Sequence, residues 1–178
     1  MLASYVAWVQ AHPVLSAALQ FALLGTLGEL LSGWLRGGRV LPCTRAQLLG
    51  KVIGWALLGV LIKAGFVMMQ GAAAALLERG LLPAALAGNP WRALLVSVVT
   101  NFFFGPQMMF FHRLCDNVIL RQRNWTGLER AWWTLIWFWI PAHTITFLLP
   151  AHFQVGLAAL WSVALGLILG LSSRKAGR

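Results

Sequence analysis

Charged residues are scarce in this chain, and acidic residues are the scarcest of all. Only 10% of the 178 residues are charged, against about 25% in an ordinary soluble domain, and just four of them are Asp or Glu. Hydrophobic residues make up 60% of the chain, and the mean hydropathy is +0.76. No segment is polar enough and long enough to fold alone in water, so we expect one membrane domain over residues 1–178.

The shortage of acidic residues leaves a net charge of +10, which raises the question of a nucleic-acid partner. The Lys and Arg residues lie in short loops between apolar stretches, as the positive-inside rule predicts for a membrane protein. No separate basic domain exists that could follow a phosphate backbone. We therefore expect the lipid bilayer, and not nucleic acid, as the partner.

Cysteine, histidine and carboxylate residues are too few and too scattered to indicate a catalytic site. The two cysteines, Cys43 and Cys115, form no disulfide framework and have no metal-ligand spacing. The four histidines lack the spacing of a zinc site. Neither a Gly-x-Ser-x-Gly motif nor a phosphate-binding loop is present. We expect no enzyme activity, no metal and no cofactor.

Five apolar segments approach the roughly 20 residues that a membrane-spanning helix requires. They cover 14–35, 48–77, 91–111, 131–149 and 153–171. The sequence therefore predicts an all-α, polytopic transmembrane helix bundle. A short turn at Pro150 separates the last two segments and favours five crossings. Four crossings plus a re-entrant or surface-lying segment is the alternative.

Basic residues predict the direction of insertion, because cytoplasmic loops are enriched in Lys and Arg. Eleven of them lie after the first, third and fifth segments: Arg36, Arg39, Arg45, Lys51, Arg113, Arg121, Arg123, Arg130, Arg174, Lys175 and Arg178. Only Arg79 and Arg92 lie between the second and third segments. Five crossings with the N-terminus outside and the C-terminus in the cytoplasm satisfy the rule, and place both cysteines on the cytoplasmic side.

The membrane itself is predicted from composition and from the N-terminal sequence. The first basic residue is Arg36, so neither the positive region of a signal peptide nor an Arg-rich transit peptide is expected. Together with the high Ala, Leu and Arg usage, this favours a bacterial cytoplasmic membrane. A mitochondrial inner or peroxisomal membrane is the alternative.

Polar residues within the apolar segments are predicted to form two levels. At a rise of 1.5 Å per residue, Lys63, Asn101 and His143 come near the bilayer middle. Glu29 and Gln107 come about 7–10 Å from the cytoplasmic face. A charge at the centre of a spanning helix costs about 2.5–3.5 kcal/mol, so it marks a partner or a pathway. The two levels therefore predict a polar interior or pore.

Two of these residues have two interpretations each, and a third has three candidate partners. Lys63 is either neutralised or hydrogen-bonded within the core, or a fixed positive charge that favours anions in a pore. His143 is either a hydrogen-bonded core residue or a pore and proton-handling group. Glu29 has Lys63, Arg45 or Lys51 as its candidate partner.

Two prolines are predicted to kink the third and fourth segments. Pro106 lies beside Gln107, and Pro141 lies two residues before His143. Proline lacks an N–H group and interrupts the helical hydrogen bonds. Interrupted backbone next to polar side chains is typical of a membrane protein that encloses a cavity.

The fifth segment has small residues at four-residue spacing, which predicts a helix-packing face. These are Ala158, Ser162, Gly166 and Gly170. Small side chains let two helices approach closely in lipid. Packing within the bundle is the first interpretation, and a homo-oligomer interface is the second.

Several short motifs resemble one membrane-protein family. They are Ala11-His12-Pro13 with Gly25-Thr26-Leu27-Gly28-Glu29, Gly65-Phe66-Val67 with Leu82-Pro83, Asn101 with Phe104-Gly105-Pro106, and Trp139-Ile140-Pro141 with Phe147, Pro150, Phe153 and Trp161. The chain resembles the eukaryotic Mpv-seventeen / peroxisomal-membrane-protein-twenty-two family, with Glu29 in place of the family's Asp. The resemblance implies a channel or metabolite pore. Members of the family are commonly drawn with four spans.

Two functions follow as expectations. The polar levels predict a weakly selective channel or transporter for small solutes or anions, whose path follows the axis of the bundle. The alternative is a non-transporting membrane scaffold or assembly partner, which the small-residue stripe would support.

Overall fold

The computed structural model describes the backbone of residues 1–37 and 44–176, and the side chains of 1–35 and 44–168. Within those ranges the chain forms helices and turns, with no strand. Cys43 and the surroundings of Gly170 lie outside the described residues. Arg39 and Arg178, used above to predict orientation, also lie outside, and so do the side chains of Arg36, Arg174 and Lys175.

Eight α-helices follow one another in the part of the chain that the structure describes. They are α1 (Leu2–Ala11), α2 (Pro13–Gly37), α3 (Arg45–Glu78), α4 (Trp91–Val99), α5 (Gly105–Ile119), α6 (Leu128–Thr134), α7 (Ile140–Leu148) and α8 (Ala151–Ala176). A π-helical turn, Thr100–Phe104, joins α4 to α5, and a second one, Leu135–Trp139, joins α6 to α7. The third and fourth apolar segments are therefore each a single helical run with a wider turn inside.

Among the residues whose surroundings are described, four helices are long and apolar enough to cross a membrane. They are Pro13–Leu35, Arg45–Glu78, Trp91–Ile119 and Ala151–Ile168. The chain is thus a multi-pass membrane protein with four candidate spans, one fewer than the five predicted. The run from α6 to α7 is helical throughout, but its aromatic and polar side chains lower its hydropathy: Trp132, Trp133, Trp137, Trp139, His143 and Thr144.

Helix ends explain the observed boundaries. Pro13 begins α2, where its missing N–H group would have no partner in any case. Thr44 and Gln47 form a capping box at the start of α3. That helix has 34 residues and is about 51 Å long, well beyond the roughly 30 Å of a bilayer core.

Close backbone contact holds α2 against α8. A Cβ atom added to Gly28 would lie 2.9 Å from Val163 Cα, and one added to Gly166 would lie 2.7 Å from the Gly28 carbonyl oxygen. Larger side chains would force the two helices apart. On its other side α2 packs along α3, so α2 lies between two of the other spans.

Two long-range hydrogen bonds lie at one end of the bundle. The Gln70 amide bonds to Gln154 and links α3 to α8, while the Tyr5 hydroxyl bonds to Gln20 and ties the short helix α1 to α2. We call this the α1 end, and the apolar core lies towards it. The opposite end, where α2 ends and α3 begins, includes Arg45 and is called the basic end.

Candidate functional site

A cavity of about 290 Å³ lies inside the bundle, close in size to the smallest ligand pockets of proteins. All five predicted segments contribute to its wall. Representative wall residues are Gly25 and Gly28 of α2, Trp55 and Ile62 of α3, Phe104 and Met108 of the third run, Leu135 and Trp139 of the fourth, and Ser162 and Gly166 of α8. The cavity therefore follows the axis shared by the five helical runs.

The two π-helical turns contact each other beside this cavity. Each ends just before a helix whose second residue is proline, Pro106 in one case and Pro141 in the other. Proline cannot donate its backbone hydrogen bond, and its ring clashes with the carbonyl group of the preceding turn. A wider turn accommodates both problems, and such turns are common at functional sites.

Asn101, in the first π-turn, joins α4 to α7. Its Nδ2 atom donates to the Ser97 carbonyl oxygen at 2.8 Å and lies 3.1 Å from His143 Nδ1. A carbonyl oxygen can only accept a hydrogen bond, so the amide nitrogen must face Ser97. His143 Nδ1 then accepts from the same amide, which places the imidazole proton on Nε2. Asn101 and His143, predicted on separate helices at one level, are indeed brought together.

Three buried polar atoms of wall residues have no hydrogen-bond partner among the described residues. They are Thr100 Oγ1, Asn101 Oδ1 and Trp139 Nε1. Thr100 and Asn101 are only 1% and 3% exposed. Leaving a buried polar atom unbonded costs about 1–3 kcal/mol. The three atoms belong to wall residues but are themselves enclosed by protein atoms.

A partly buried ion cluster lies towards the basic end of the cavity. The Lys51 ammonium group donates to Glu29 Oε1 and, at 3.3 Å, to Asp116 Oδ1. The Trp55 indole donates to Glu29 Oε2 at 3.0 Å. His112 Nδ1 lies 4.0 Å from Asp116 Oδ2. Of the three partners that the sequence left open for Glu29, the structure selects Lys51.

The same cluster is the one place in the described part of the chain where three metal-ligating side chains converge. One donor atom each of Glu29, His112 and Asp116 lies within 4.8 Å of the other two. However, Lys51 already hydrogen-bonds to both carboxylates and supplies the positive charge that a metal ion would bring. We therefore assign Lys51 as the cation of this cluster and assign no metal.

Two predicted pore residues are absent from the cavity wall. Lys63 is half-buried, and Gln107 is exposed. Lys63 forms no hydrogen bond or ion pair with any described residue. Neither residue lines the cavity, and the anion preference suggested for Lys63 stays a prediction.

The small-residue stripe of α8 faces into the bundle. Ala158 is 1% exposed, and Ala158, Ser162 and Gly166 all belong to the cavity wall. Gly166 also contacts the backbone of α2, as described above. These three residues therefore pack within the bundle, while Gly170 lies outside the residues whose surroundings are described.

Sequence reasoning missed most of the ion cluster. Lys51 was counted as a loop residue, and His112 and Asp116 lie beyond residue 111, where the third segment was expected to end. A signal was present, because Phe104, Met108 and His112 follow Asn101 at helical spacing. Extending that stripe would have continued the helix to the carboxylate.

No protein-family model, no curated protein and no solved structure matches this chain. The function must therefore be argued from the geometry of the cavity.

Proposed function

We propose that this protein is a weakly selective channel or transporter for small uncharged solutes, with the cavity as the central part of its path. One observation carries the proposal. Residues of all five helical runs line one cavity. A protein that served only as a packed scaffold would gain stability by filling that space with apolar side chains.

We propose that two groups of side chains act as closures of this path, one towards each end of the bundle. Towards the α1 end, the Phe66 ring packs against Phe147 and His143, with ring centroids 4.8 and 5.3 Å apart. Towards the basic end lies the ion cluster of Glu29, Lys51 and Asp116. Passage of a solute would require each closure to open in turn, as in alternating access.

Five crossings fit this path better than four. The run from α6 to α7 consists of pieces of 7, 5 and 9 residues without a break, and it contributes Leu135, Trp139 and His143 to the wall. Its length of about 31 Å matches a bilayer core. We propose that it is the fourth of five spans, with the N-terminus outside and the basic end in the cytoplasm of a bacterial cell.

Uncharged solutes fit the wall better than anions do. The one carboxylate on the wall, Glu29, is paired with Lys51, and Lys63 lies away from the wall. The resemblance to the Mpv-seventeen / peroxisomal-membrane-protein-twenty-two family favours the same class of function and stays a prediction.

A scaffold or assembly partner is the second candidate, and the small-residue stripe was its motive. Because Ala158 and Gly166 pack against α2 within the bundle, they are not available to a second copy or to another protein. We therefore propose transport in preference to assembly.

Osmotic swelling of proteoliposomes tests the proposal. The purified chain should admit uncharged solutes such as glycerol faster than empty liposomes do. Ser162→Trp should reduce the rate at least tenfold, because Ser162 lines the cavity and an indole would fill it. Leu160→Trp is the matched control on the same helix, since Leu160 is 51% exposed and faces away from the cavity.

The proposal fails if the wild-type chain admits no more solute than empty liposomes. It also fails if the Ser162 and Leu160 variants swell at the same rate, because the path would then lie elsewhere.

A further inference from the structure

The surface that faces the cavity is mostly apolar, although several wall residues are polar. The Thr134 and Ser162 hydroxyls each donate to a backbone carbonyl oxygen one turn earlier in their own helix, at 2.6 and 3.3 Å. The Trp55 indole donates to Glu29, and the three unpartnered atoms described above are enclosed by protein. A polar group on a ligand would therefore find few free partners at this wall, and a buried polar group without partners is costly.

The Trp55 ring is held in place on one side of the cavity. It lies against Gly25, where a Cβ atom would overlap the indole. It also stacks on Phe21 and contacts the His112 ring, with ring centroids 6.4 and 4.7 Å apart. Because its N–H group is bonded to Glu29, this side of the wall is ordered before any ligand enters. Such preorganisation lowers the cost of binding.

The cavity has room for a molecule of about two fused aromatic rings. Its volume of about 290 Å³ is roughly twice that of an engineered apolar cavity of about 150 Å³ that binds benzene. Every residue of its wall is buried or half-buried, so most of such a molecule would be covered by protein. Close packing of apolar groups, and not hydrogen bonding, would then stabilise the complex.

We propose that the cavity binds an apolar molecule without hydrogen-bonding groups, of about the size of naphthalene. The inference names the solute class of the transport proposed above and, as a solute class, rests on it. As a binding site it is tested without any measurement of flux.

Equilibrium dialysis of radiolabelled ligands against the full chain in lipid nanodiscs provides the test, with naphthalene as the probe. We expect saturable binding of naphthalene after subtraction of partitioning into empty nanodiscs. 1-Naphthol adds one hydroxyl group to the same rings, and after the same subtraction it should bind at least fivefold more weakly. Perylene is a larger hydrocarbon that exceeds the cavity, and it should show no binding beyond that of empty nanodiscs.

Matched variants locate the bound molecule. Ser162→Trp places an indole in the cavity and should weaken naphthalene binding at least tenfold. Leu160→Trp adds the same indole to the same helix at a position that is 51% exposed and off the wall. Its affinity for naphthalene should equal that of the wild type.

A second pair covers the case in which Ser162→Trp fails to fold. Met108→Trp fills the cavity from α5, and the flexible methionine side chain tolerates replacement well. This variant should also weaken naphthalene binding about tenfold. Phe110→Trp is its control on the same helix, because Phe110 is 48% exposed and lies off the wall.

An acyl chain of a bilayer lipid is a second source of the same chemistry. Mass spectrometry of the chain after release from nanodiscs and washing with detergent separates the two sources. A lipid retained by the wild type and by Leu160→Trp, but lost from Ser162→Trp, would assign the cavity to an acyl chain. Saturable naphthalene binding without a retained lipid would assign it to a free molecule.

The absence of both naphthalene binding and a retained lipid would overturn the inference. So would binding of 1-naphthol as tight as that of naphthalene, or equal losses in the wall variants and their controls. Glycerol flux without either occupant would remove the inference and leave the proposed transport standing. Binding of naphthalene without any flux would remove the transport and leave the binding site.

Discussion

Lys51 and Lys63 belong to the same helix, and their surroundings are opposite. Lys51 is 8% exposed and bonds to two carboxylates, whereas Lys63 is half-buried and bonds to no described residue. A hydropathy profile does not distinguish the two lysines, because it scores each as a charge within or beside an apolar segment. Only the contacts with α2 and α5 separate the lysine that holds helices together from the lysine that does not.

Lys51→Met and Lys63→Met should have different effects on the stability of the protein. Removing Lys51 leaves Glu29 and Asp116 as neighbouring, partly buried carboxylates without a cation. We therefore expect a loss of up to about 3 kcal/mol in the free energy of unfolding, the lower limit for breaking a fully buried pair. Lys63→Met removes a charge that has no partner and should leave stability unchanged or slightly higher. Unfolding in mixed micelles by SDS titration measures both.

Adding Glu29→Gln and Asp116→Asn to Lys51→Met should restore much of the lost stability, because no uncompensated charge would remain. Equal stabilities of the two single lysine variants would contradict the assigned ion cluster.

At the scale of helices, backbone contact between α2 and α8 fixes the shape of the cavity wall. Gly28 and Gly166 occupy facing positions, and neither has room for a side chain. Gly71 of α3 differs, because a Cβ atom added there would meet nothing within 4 Å. Substitution of Gly28 and of Gly71 by alanine should therefore change the stability of the protein in opposite directions.

We expect Gly28→Ala to lower the thermal unfolding temperature, since its methyl group would overlap the Val163 backbone and overpacking typically costs about 1–3 kcal/mol. Gly71→Ala should raise it, because alanine is favoured over glycine in a helix interior by about 0.5–1 kcal/mol. A thermal unfolding series in one detergent measures both. A loss of stability from Gly71→Ala equal to that from Gly28→Ala would show that the helix contact is not the cause.

At the scale of the whole molecule, the number of crossings can be tested at the turn between α7 and α8. Five spans and four spans place this turn on opposite sides of the membrane. In a chain without its native cysteines, Ala151→Cys places a thiol at this exposed turn. With five spans the turn lies outside, and a membrane-impermeant maleimide should label it in intact cells. With four spans and a surface-lying α6–α7 run, it should react only after lysis.

Ala87→Cys, in the exposed segment between α3 and α4, is the positive control, since it lies outside in both arrangements. The native Cys43 and Cys115 should remain unlabelled in intact cells. Labelling of either would show that the orientation is reversed.

The sequence predicted the helical membrane fold because apolar length and basic loops are local properties. The individual sites depended on tertiary contacts. Lys63 and Ile62 are neighbours in sequence, yet only Ile62 lies on the cavity wall, since one residue turns a helix by about 100°. We predicted too early an end for the third segment, because His112 and Asp116 resemble loop residues. In the fold, Lys51 of another helix neutralises Asp116, and α5 continues past it.

The length of α3 has a consequence for the membrane in which the protein works. A helix of about 51 Å can remain in a bilayer core of about 30 Å only by tilting or projecting, and its tilt varies with bilayer thickness. Trp55, Ile62 and Phe66 of this helix line the cavity, and Lys51 belongs to the ion cluster. We therefore expect thinner and thicker membranes to incline this side of the cavity wall to different degrees.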